Sequence, residues 1–160
     1  MIQAITETNL IFSLQTEDNR IDTSVDSSKI RHLVKFTNDM DKSVQYAYPT
    51  TYDIYNRYTK FDFTYNTTKN VYTGAVNFLP AGYWKYEVFE VSCIGTVTIS
   101  RDNAPITEND VLTPAADDKG VVKGLVTKGK MYVSEKDGTE QVQYTQHPEP
   151  AGTNYIYYGQ

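Results

Sequence analysis

The chain contains few residues that could carry out enzymatic chemistry, and their spacing does not bring them together. Its two histidines are His32 and His147. Zinc sites need several Cys, His or carboxylate ligands at short, regular spacings, and neither histidine has such neighbours. We interpret His32 as a core or interstrand histidine and His147 as a loop residue. The glycines are scattered singly, so they form neither a phosphate-binding loop nor a nucleophile elbow around a serine.

The single cysteine and one pair of glutamates also favour structural roles. Cys93 is the only cysteine, so the chain cannot form an internal disulfide, and this indicates synthesis in a reducing compartment. Cys93 has no basic neighbour in the sequence that could activate its thiol. We therefore expect it to be a small buried hydrophobic residue. Glu87 and Glu90 would point to opposite faces of one strand, which prevents them from flanking a glycosidic bond together.

One acidic segment, with Asp102, Asn103, Glu108 and Asp110, could be read as a Ca²⁺ site. It lacks the regular ligand spacing and the glycine of a calcium-binding loop, which favours a solvated turn. Residues 66–68 (Asn-Thr-Thr) match a glycosylation acceptor, but the first residues lack the basic start and apolar stretch of a signal peptide. We therefore predict a protein that is not an enzyme. We expect no catalytic residues, no metal, no cofactor and no small-molecule ligand.

The composition is that of a folded, acidic domain. The chain has 160 residues, 39% of them hydrophobic, and a net charge of −5, which suffices for one domain with a core. This charge argues against a nucleic-acid partner, and no apolar run is long enough to span a bilayer. The fourteen tyrosines suit half-buried strands and contact surfaces, because tyrosine combines a large apolar body with a polar tip.

Alternating apolar and polar residues predict an all-β fold. Six or seven short strands with turn signals between them favour a β-sandwich of the immunoglobulin kind. Residues 52–60 are ambiguous between a strand and a loop, and nothing before residue 92 has a sustained helical period. The predicted strands cover residues 10–14, 30–37, 44–48, 61–65, 72–78 and 83–90.

The predicted centre of the fold is a corner followed by an aromatic strand. Pro80 and Gly82 predict a tight turn, because proline presets one dihedral and glycine tolerates a backbone that a side chain would block. After the turn, Trp84, Tyr86 and Val88 fall on one face of a strand. We expect this strand to lie in the middle of a sheet and to contribute the core. The indole N–H of Trp84 then needs a partner.

We expect the sandwich to span residues 1–95, and residues 96–160 to form a C-terminal β-rich arm. This arm would dock on the sandwich or on neighbouring subunits. It has strand-like alternation at 96–100, few large apolar residues over 106–128, and a predicted hairpin of 130–134 with 140–144. Its last apolar strand either closes an edge of its own domain or forms an inter-subunit contact. The candidate contact residues are Tyr155, Ile156, Tyr157 and Tyr158.

Two blocks of the sequence resemble a known family. One is Asn-Arg-Tyr-Thr-Lys-Phe at residues 56–61, and the other runs from residue 74 to residue 90 through the Leu-Pro-Ala-Gly-Tyr-Trp corner. Over roughly residues 5–92 the chain resembles small immunoglobulin-like virion proteins of tailed phages, including the crAss-like phages that infect gut Bacteroidota. The second block also resembles the tyrosine corner of immunoglobulin domains. Since Trp84 occupies the tyrosine position, the hydroxyl-to-backbone bond must be replaced by an indole N–H bond or lost.

This resemblance implies a non-enzymatic virion structural protein, an auxiliary capsid (decoration) protein that stabilises the head shell. Its expected partners are the major capsid protein or other virion proteins, in a multi-copy assembly held by inter-subunit β contacts. The protein would be made in the host cytoplasm without secretion and would reside in the virion, with no nucleic-acid or membrane partner. One alternative is a head–tail connector or tail component. Another is a carbohydrate- or cell-surface-binding module that stacks sugars on Tyr46, Tyr52 and Tyr83.

Overall fold

The computed structural model describes residues 1–55, 57–95, 97–110 and 119–136. In these ranges the chain forms nine β-strands and two 3₁₀ turns of three residues each. The all-β prediction is therefore confirmed for the part of the chain that is described. The strands are β1 (Ile2–Ile5), β2 (Leu10–Leu14), β3 (Ile30–Asn38), β4 (Val44–Ala47), β5 (Thr51–Ile54), β6 (Thr59–Tyr65), β7 (Ala75–Val76), β8 (Gly82–Cys93) and β9 (Gly120–Ser134).

The strands form two sheets that pack against each other as a β-sandwich. The five-stranded sheet has the order β1-β9-β8-β3-β4, in which β1 and β9 are parallel and the other neighbours are antiparallel. The second sheet has the antiparallel order β2-β6-β5, and β7 pairs with β6 in parallel. This order places β8, the aromatic strand that follows the Pro80 corner, in the centre of the larger sheet, as predicted.

Aromatic side chains fill the space between the two sheets. Phe36 of β3 meets Phe63 of β6 edge to face, with ring centroids 5.5 Å apart, and Phe12 stacks on Phe61 at 5.4 Å. Each such side chain stabilises the fold by about 1.5–3 kcal/mol when it is removed from water. The period-two alternation that predicted these strands thus marks the inner faces of both sheets. The other large members of the core are Leu10, Val34, Val76, Phe78, Met131 and Val133.

The predicted division of β8 into two faces is confirmed. Trp84 is 1% exposed, Val88 is fully buried, and Tyr86 is buried beside them. Tyr83 and Lys85, which alternate with these residues and point to the other side of the strand, are exposed. β8 pairs with β3 on one side and with β9 on the other along almost its whole length.

The corner that leads into β8 is closed by the tryptophan. The Leu79–Pro80 peptide bond is cis, and Gly82 has φ = 124°, a left-handed conformation that favours glycine. Trp84 Nε1 donates to the carbonyl oxygen of Pro80 at 3.1 Å. The side-chain amide of Asn38 donates to the same oxygen at 3.2 Å. The indole N–H of Trp84, which was expected to need a partner, therefore has one within the corner.

The predicted strand at residues 72–78 is mostly a turn, and only Ala75–Val76 is extended. The Asn70 side chain accepts hydrogen bonds from the backbone N–H groups of Tyr72 and Thr73. Gly74 follows with φ = 70°, and a Cβ there would lie 2.5 Å from the Thr50 hydroxyl oxygen. Local turn chemistry therefore overrides the apolar alternation in this segment.

The strand predicted at residues 96–100 is also wrong over its described residues, 97–100. Residues 97–110 are irregular and cover one end of the five-stranded sheet on the side away from the core. Ile99 and Ala104 pack there against Leu33 of β3. The Tyr48 hydroxyl donates to the Pro105 carbonyl at 2.8 Å, which fixes this cover to the sheet.

The residues that follow do not fit the predicted boundary at residue 95, because β9 is part of the sandwich. It begins at Gly120, within the stretch 106–128 where no strand was predicted, and lies between β1 and β8. Glycines lowered its apparent strand propensity, but Gly129 makes room for Tyr86, whose hydroxyl oxygen would collide with an added Cβ. Residues 131–133 pair on both sides, with β1 and with β8, whereas Ser134 pairs with β1 alone. The other half of the predicted hairpin, 140–144, lies outside the described residues.

The Trp84 bond provides a first prediction. Trp84→Phe removes the N–H donor and part of the buried ring, and we expect it to lower the free energy of unfolding by about 2–4 kcal/mol. Tyr83→Phe, on the exposed side of the same strand, is the control and should change it by less than about 0.5 kcal/mol. Urea denaturation measures both. Equal stabilities for the two variants would contradict the proposed role of the corner.

Candidate interaction surface

His32 lies in a polar contact at one end of the core. It is 1% exposed, and its Nδ1 lies 2.6 Å from the Tyr52 hydroxyl oxygen. Burial, with a smaller contribution from the charge of Arg31, lowers the pKa of His32 to about 3. Burial also raises the pKa of Tyr52. His32 is therefore neutral and held between the sheets, which confirms its interpretation as a core histidine.

Glu90 of β8 lies opposite His32 of β3, and its carboxylate is fully buried. It accepts hydrogen bonds from the backbone N–H groups of Ile21 at 2.9 Å and Asp22 at 2.7 Å. The Asp22 carboxylate in turn accepts hydrogen bonds from the hydroxyls of Ser24 and Ser92, which hold the pKa of Asp22 well below its usual range. These bonds fasten the loop between β2 and β3 to β8, so the buried acid has a structural role.

The other residues considered for chemistry have structural partners as well. Cys93 is buried, as predicted, and burial raises the pKa of its thiol. Asp110 accepts the backbone N–H groups of Ile106 and Thr107 and so closes a turn. Over the described ranges, no three His, Cys, Asp or Glu residues are grouped so that they could hold a metal ion.

Glu108, the remaining acid of that segment, binds the outer side of the five-stranded sheet. Its carboxylate lies 2.5 Å from Lys35 Nζ and accepts a hydrogen bond from the Tyr46 hydroxyl. This contact raises the pKa of Lys35. The Glu108 contact lies at the edge of the part of the sheet that residues 97–110 cover. The lysines and tyrosines farther along the same side of the sheet are exposed.

We call the uncovered part of this sheet the open face. It comprises the outward side chains of β3, β8 and β9 at one end of the sheet. Tyr83 is 54% exposed and Tyr132 is 37% exposed, and their ring centroids are 5.1 Å apart. Beside this pair lies a groove of about 680 Å³. The charged residues that line the groove are Lys35, Lys85, Glu87, Lys128 and Lys130.

The groove is positively charged, because four lysines and one glutamate line it. Lys85 and Lys130 lie directly opposite each other on β8 and β9, and Lys128 lies opposite Glu87. Lys85 forms an ion pair at 3.2 Å with Asp39. Lys128 and Lys130 form no ion pair within the described ranges. Like charges placed directly opposite on neighbouring strands are destabilising. The Lys85–Lys130 pair therefore does not contribute to the stability of the fold.

The structure separates the three tyrosines expected in the sugar-binding alternative. Tyr46 lies on β4 and donates to Glu108, whereas Tyr52 lies on β5 in the other sheet and contacts His32. Only Tyr83 is freely exposed, so the three rings do not form one platform. The candidate contact residues Tyr155, Ile156, Tyr157 and Tyr158 lie outside the described residues.

Sequence reasoning missed the open face because no strand was predicted over residues 120–128, the first part of β9. The pattern Lys128-x-Lys130-x-Tyr132 is a period-two alternation with Gly129, Met131 and Val133 between its members. In a strand, that pattern places the two lysines and the tyrosine on one side. The alternation that places these residues on one side was therefore visible in the sequence. It indicates a surface only if the glycine-containing segment is first recognised as a strand.

No protein-family model, curated protein or solved structure matches this chain. The case for its function therefore rests on its own residues and geometry. Along the described ranges, no helix has the length and apolar character needed to cross a membrane.

The opposed lysines lead to a second prediction. Lys130→Glu places a glutamate opposite Lys85, whereas Lys128→Glu places one opposite Glu87, and both variants change the net charge equally. We expect the Lys130→Glu variant to be more stable by about 0.5–1 kcal/mol. Urea denaturation at low ionic strength measures the difference, which should shrink as salt is added. The reverse order of stability would contradict the register of β8 and β9.

A third prediction concerns the pH dependence of stability. The pKa of His32 is lower in the folded chain than its ordinary value of about 6.5, so the unfolded chain binds a proton that the folded chain does not. Stability is therefore fully present above pH 6.5 and decreases as the pH falls below it, by about 2 kcal/mol between pH 7 and pH 5. His32→Gln should remove most of this decrease in urea denaturation. An unchanged decrease in the variant would show that another group is responsible.

Proposed function

We propose that this protein is a non-enzymatic structural component of a tailed-phage virion, an auxiliary capsid (decoration) protein. The observation that carries the proposal is the open face. Tyrosines are enriched in protein–protein interfaces, and an exposed pair of tyrosine rings on a sheet provides contact area for another chain. A protein whose task is adhesion needs such a surface and does not need a catalytic cleft.

The strand order supports an immunoglobulin-like fold within this proposal. In immunoglobulin domains one sheet contains strands G, F, C and C′ in that order, and the other contains B, E and D. Here β9, β8, β3 and β4 have the first order, and β2, β6 and β5 have the second. The bond from Trp84 to Pro80 lies at the start of the strand that corresponds to F, where immunoglobulin domains have the tyrosine corner. This agreement supports the resemblance to immunoglobulin-like virion proteins.

The polar contacts support the non-enzymatic part of the proposal. His32 is bonded to Tyr52, and Glu90 accepts two backbone N–H groups. General acid–base catalysis needs a titratable group within reach of a substrate, and both of these side chains are buried. The groups best suited to chemistry therefore stabilise the sandwich.

The sheet edges offer a second kind of contact. β1 and β2 are edge strands of the two sheets, and an edge strand can pair with a strand of another chain. Ile5 on β1 is 45% exposed and Ile11 on β2 is 56% exposed. These apolar side chains near open edges support inter-subunit β contacts with the major capsid protein or another virion protein.

The main rival is a head–tail connector or tail component, which would use the same surfaces in fewer copies. The carbohydrate-binding alternative has less support, because Tyr46 and Tyr52 are engaged by Glu108 and His32.

Copy number distinguishes these functions and provides a fourth prediction. Purified particles are analysed by quantitative mass spectrometry, with the major capsid protein as the internal reference. A decoration protein covers the shell, so we expect a ratio to the capsid protein near one or a simple fraction of one. A count of about a dozen copies, as expected for ring assemblies, would instead favour the neck or tail. If washed particles lack the protein, the virion proposal fails.

A further inference from the structure

β2 (Leu10–Leu14) is an edge strand that pairs with β6 on one side only. Over the described residues, no strand lies on its other side. Ile11 is 56% exposed and Ser13 is exposed as well, so solvent reaches the middle of the strand. An edge strand of this kind presents unpaired N–H and C=O groups, with which a strand of another chain can form a ladder.

The hydrogen bonds of β6 show in which direction its backbone groups point. In an antiparallel sheet, alternate residues of a strand bond to the neighbours on its two sides. The Asp62 carbonyl accepts a hydrogen bond at 2.7 Å from Thr50, immediately before β5. The Tyr65 N–H donates at 2.9 Å to the side chain of Asn9, immediately before β2. Even-numbered residues of β6 therefore face β5, and odd-numbered residues face β2.

This direction determines which backbone groups of β2 are left at the open edge. Phe61 of β6 faces β2, where Phe12 lies opposite it. Because directly opposed residues in an antiparallel ladder exchange both hydrogen bonds or neither, the backbone of Phe12 is bonded to β6. Its neighbours Ile11 and Ser13 then direct their N–H and C=O groups away from β6, to the open edge.

β2 lacks the features that usually keep edge strands from pairing. Soluble proteins protect such edges with charged side chains, prolines or bulges. The sequence of β2, Leu-Ile-Phe-Ser-Leu, contains neither a charge nor a proline, and its pairing with β6 runs without a bulge. By contrast, the edge strand β5 carries Asp53, and Pro49 follows the edge strand β4 shortly after its end.

We propose that the open edge of β2 binds the same edge of a second copy of this chain, as an antiparallel strand pair about a two-fold axis. Ile11 lies opposite Ile11 of the second copy, and Asn9 lies opposite its Ser13. The N–H and C=O groups of Ile11 and Ser13 then all gain partners. The two exposed isoleucine side chains also cover each other on the outer side of the joined sheet.

Charge and symmetry favour a second copy as the occupant. The chain as a whole carries a net charge of −5, but Asn9 and the whole of β2 are uncharged, so the strand can meet itself without placing like charges opposite each other. A two-fold contact is self-complementary, and two-fold dimers are the commonest soluble oligomers. β2 is already extended and bonded to β6, so pairing requires no refolding of the strand.

This inference goes beyond the virion proposal and does not depend on it. The pair uses the smaller sheet, whereas the open face lies on the five-stranded sheet. The open face and the edge of β1 therefore stay available to other chains. Experiments on the purified protein test the pair, and the count in particles tests the virion proposal, so the two can fail separately.

The first test measures association of the full chain by sedimentation velocity. A pair of short strands buries less than a standard interface, so we expect a monomer–dimer equilibrium with a Kd on the order of 10–100 µM. Ile11→Lys places two lysines opposite each other and should raise the Kd at least about tenfold. Ile94→Lys is the matched control, because Ile94 is 66% exposed and follows β8 in the other sheet. It should leave the Kd unchanged.

Cysteine substitutions test the register of the pair under mild oxidation. Ile11→Cys should give a disulfide-linked dimer, because directly opposed Cα atoms lie about 5.5 Å apart, within disulfide range. Ser13→Cys alone should not, since the two copies of this residue lie about 14 Å apart along the strands. A mixture of Asn9→Cys and Ser13→Cys proteins should link again. The native Cys93 is buried, so the unmodified chain is the blank.

Amide hydrogen exchange distinguishes strand pairing from a contact between side chains alone. The amides of Ile11 and Ser13 should exchange at least about fivefold more slowly when the protein is mostly dimeric than when it is mostly monomeric. The Phe12 amide, which is bonded to β6, serves as the internal reference. In the Ile11→Lys variant, the amide of Ser13 should lose this dependence on concentration.

Three results would overturn the inference. One is a protein that stays monomeric up to about 1 mM, well above the affinity expected of a weak interface. Another is a dimer that Ile94→Lys weakens as much as Ile11→Lys, or that gives no disulfide through Ile11→Cys, since either would assign the contact to another surface. The third is equal protection of the Ile11 and Ser13 amides at all concentrations, which would mean that the edge is covered within one molecule.

Discussion

The structure depends on the alternation of side chains along β8. This strand is hydrogen-bonded on both edges, to β3 and to β9, so its orientation is fixed. Its inner face contributes Trp84, Tyr86 and Val88 to the core, and its outer face contributes Tyr83 and Lys85 to the open face. A slip of one residue would exchange the two faces. The core and the candidate interaction surface are therefore set by the same register.

Two groups of polar contacts hold this register. At one end, the Pro80 carbonyl accepts hydrogen bonds from Trp84 on β8 and from Asn38 on β3. At the other end, Glu90 accepts two backbone N–H groups of the loop between β2 and β3. Buried polar groups that are fully bonded favour one arrangement, because any shift would leave them without partners. Because these contacts fix the register, Lys85 and Lys130 stay opposite each other although their like charges repel.

The sequence allowed much of the fold to be predicted where alternation and turn residues agree, as in β2, β3, β6 and the corner before β8. The prediction failed at residues 72–78, where the Asn70 side chain and Gly74 form a turn. It also failed over residues 120–128 of β9, where glycines lower the apparent strand propensity, although the glycine at position 129 is needed to leave room for Tyr86 of the neighbouring strand. Since residues 130–134 were predicted to pair with 140–144 and not with β8, the open face was not predicted. The core was predictable from local periodicity, but the candidate site depended on long-range pairing.

We propose that this protein contacts another chain through the open face. The most direct measurement is a cryo-electron microscopy reconstruction of the purified particle at a resolution that shows side chains. We expect density for the sandwich on the particle, with Tyr83, Tyr132 and the groove lysines covered by a neighbouring chain. A sandwich held to the particle by other surfaces, with the open face turned towards solvent and unoccupied, would contradict it.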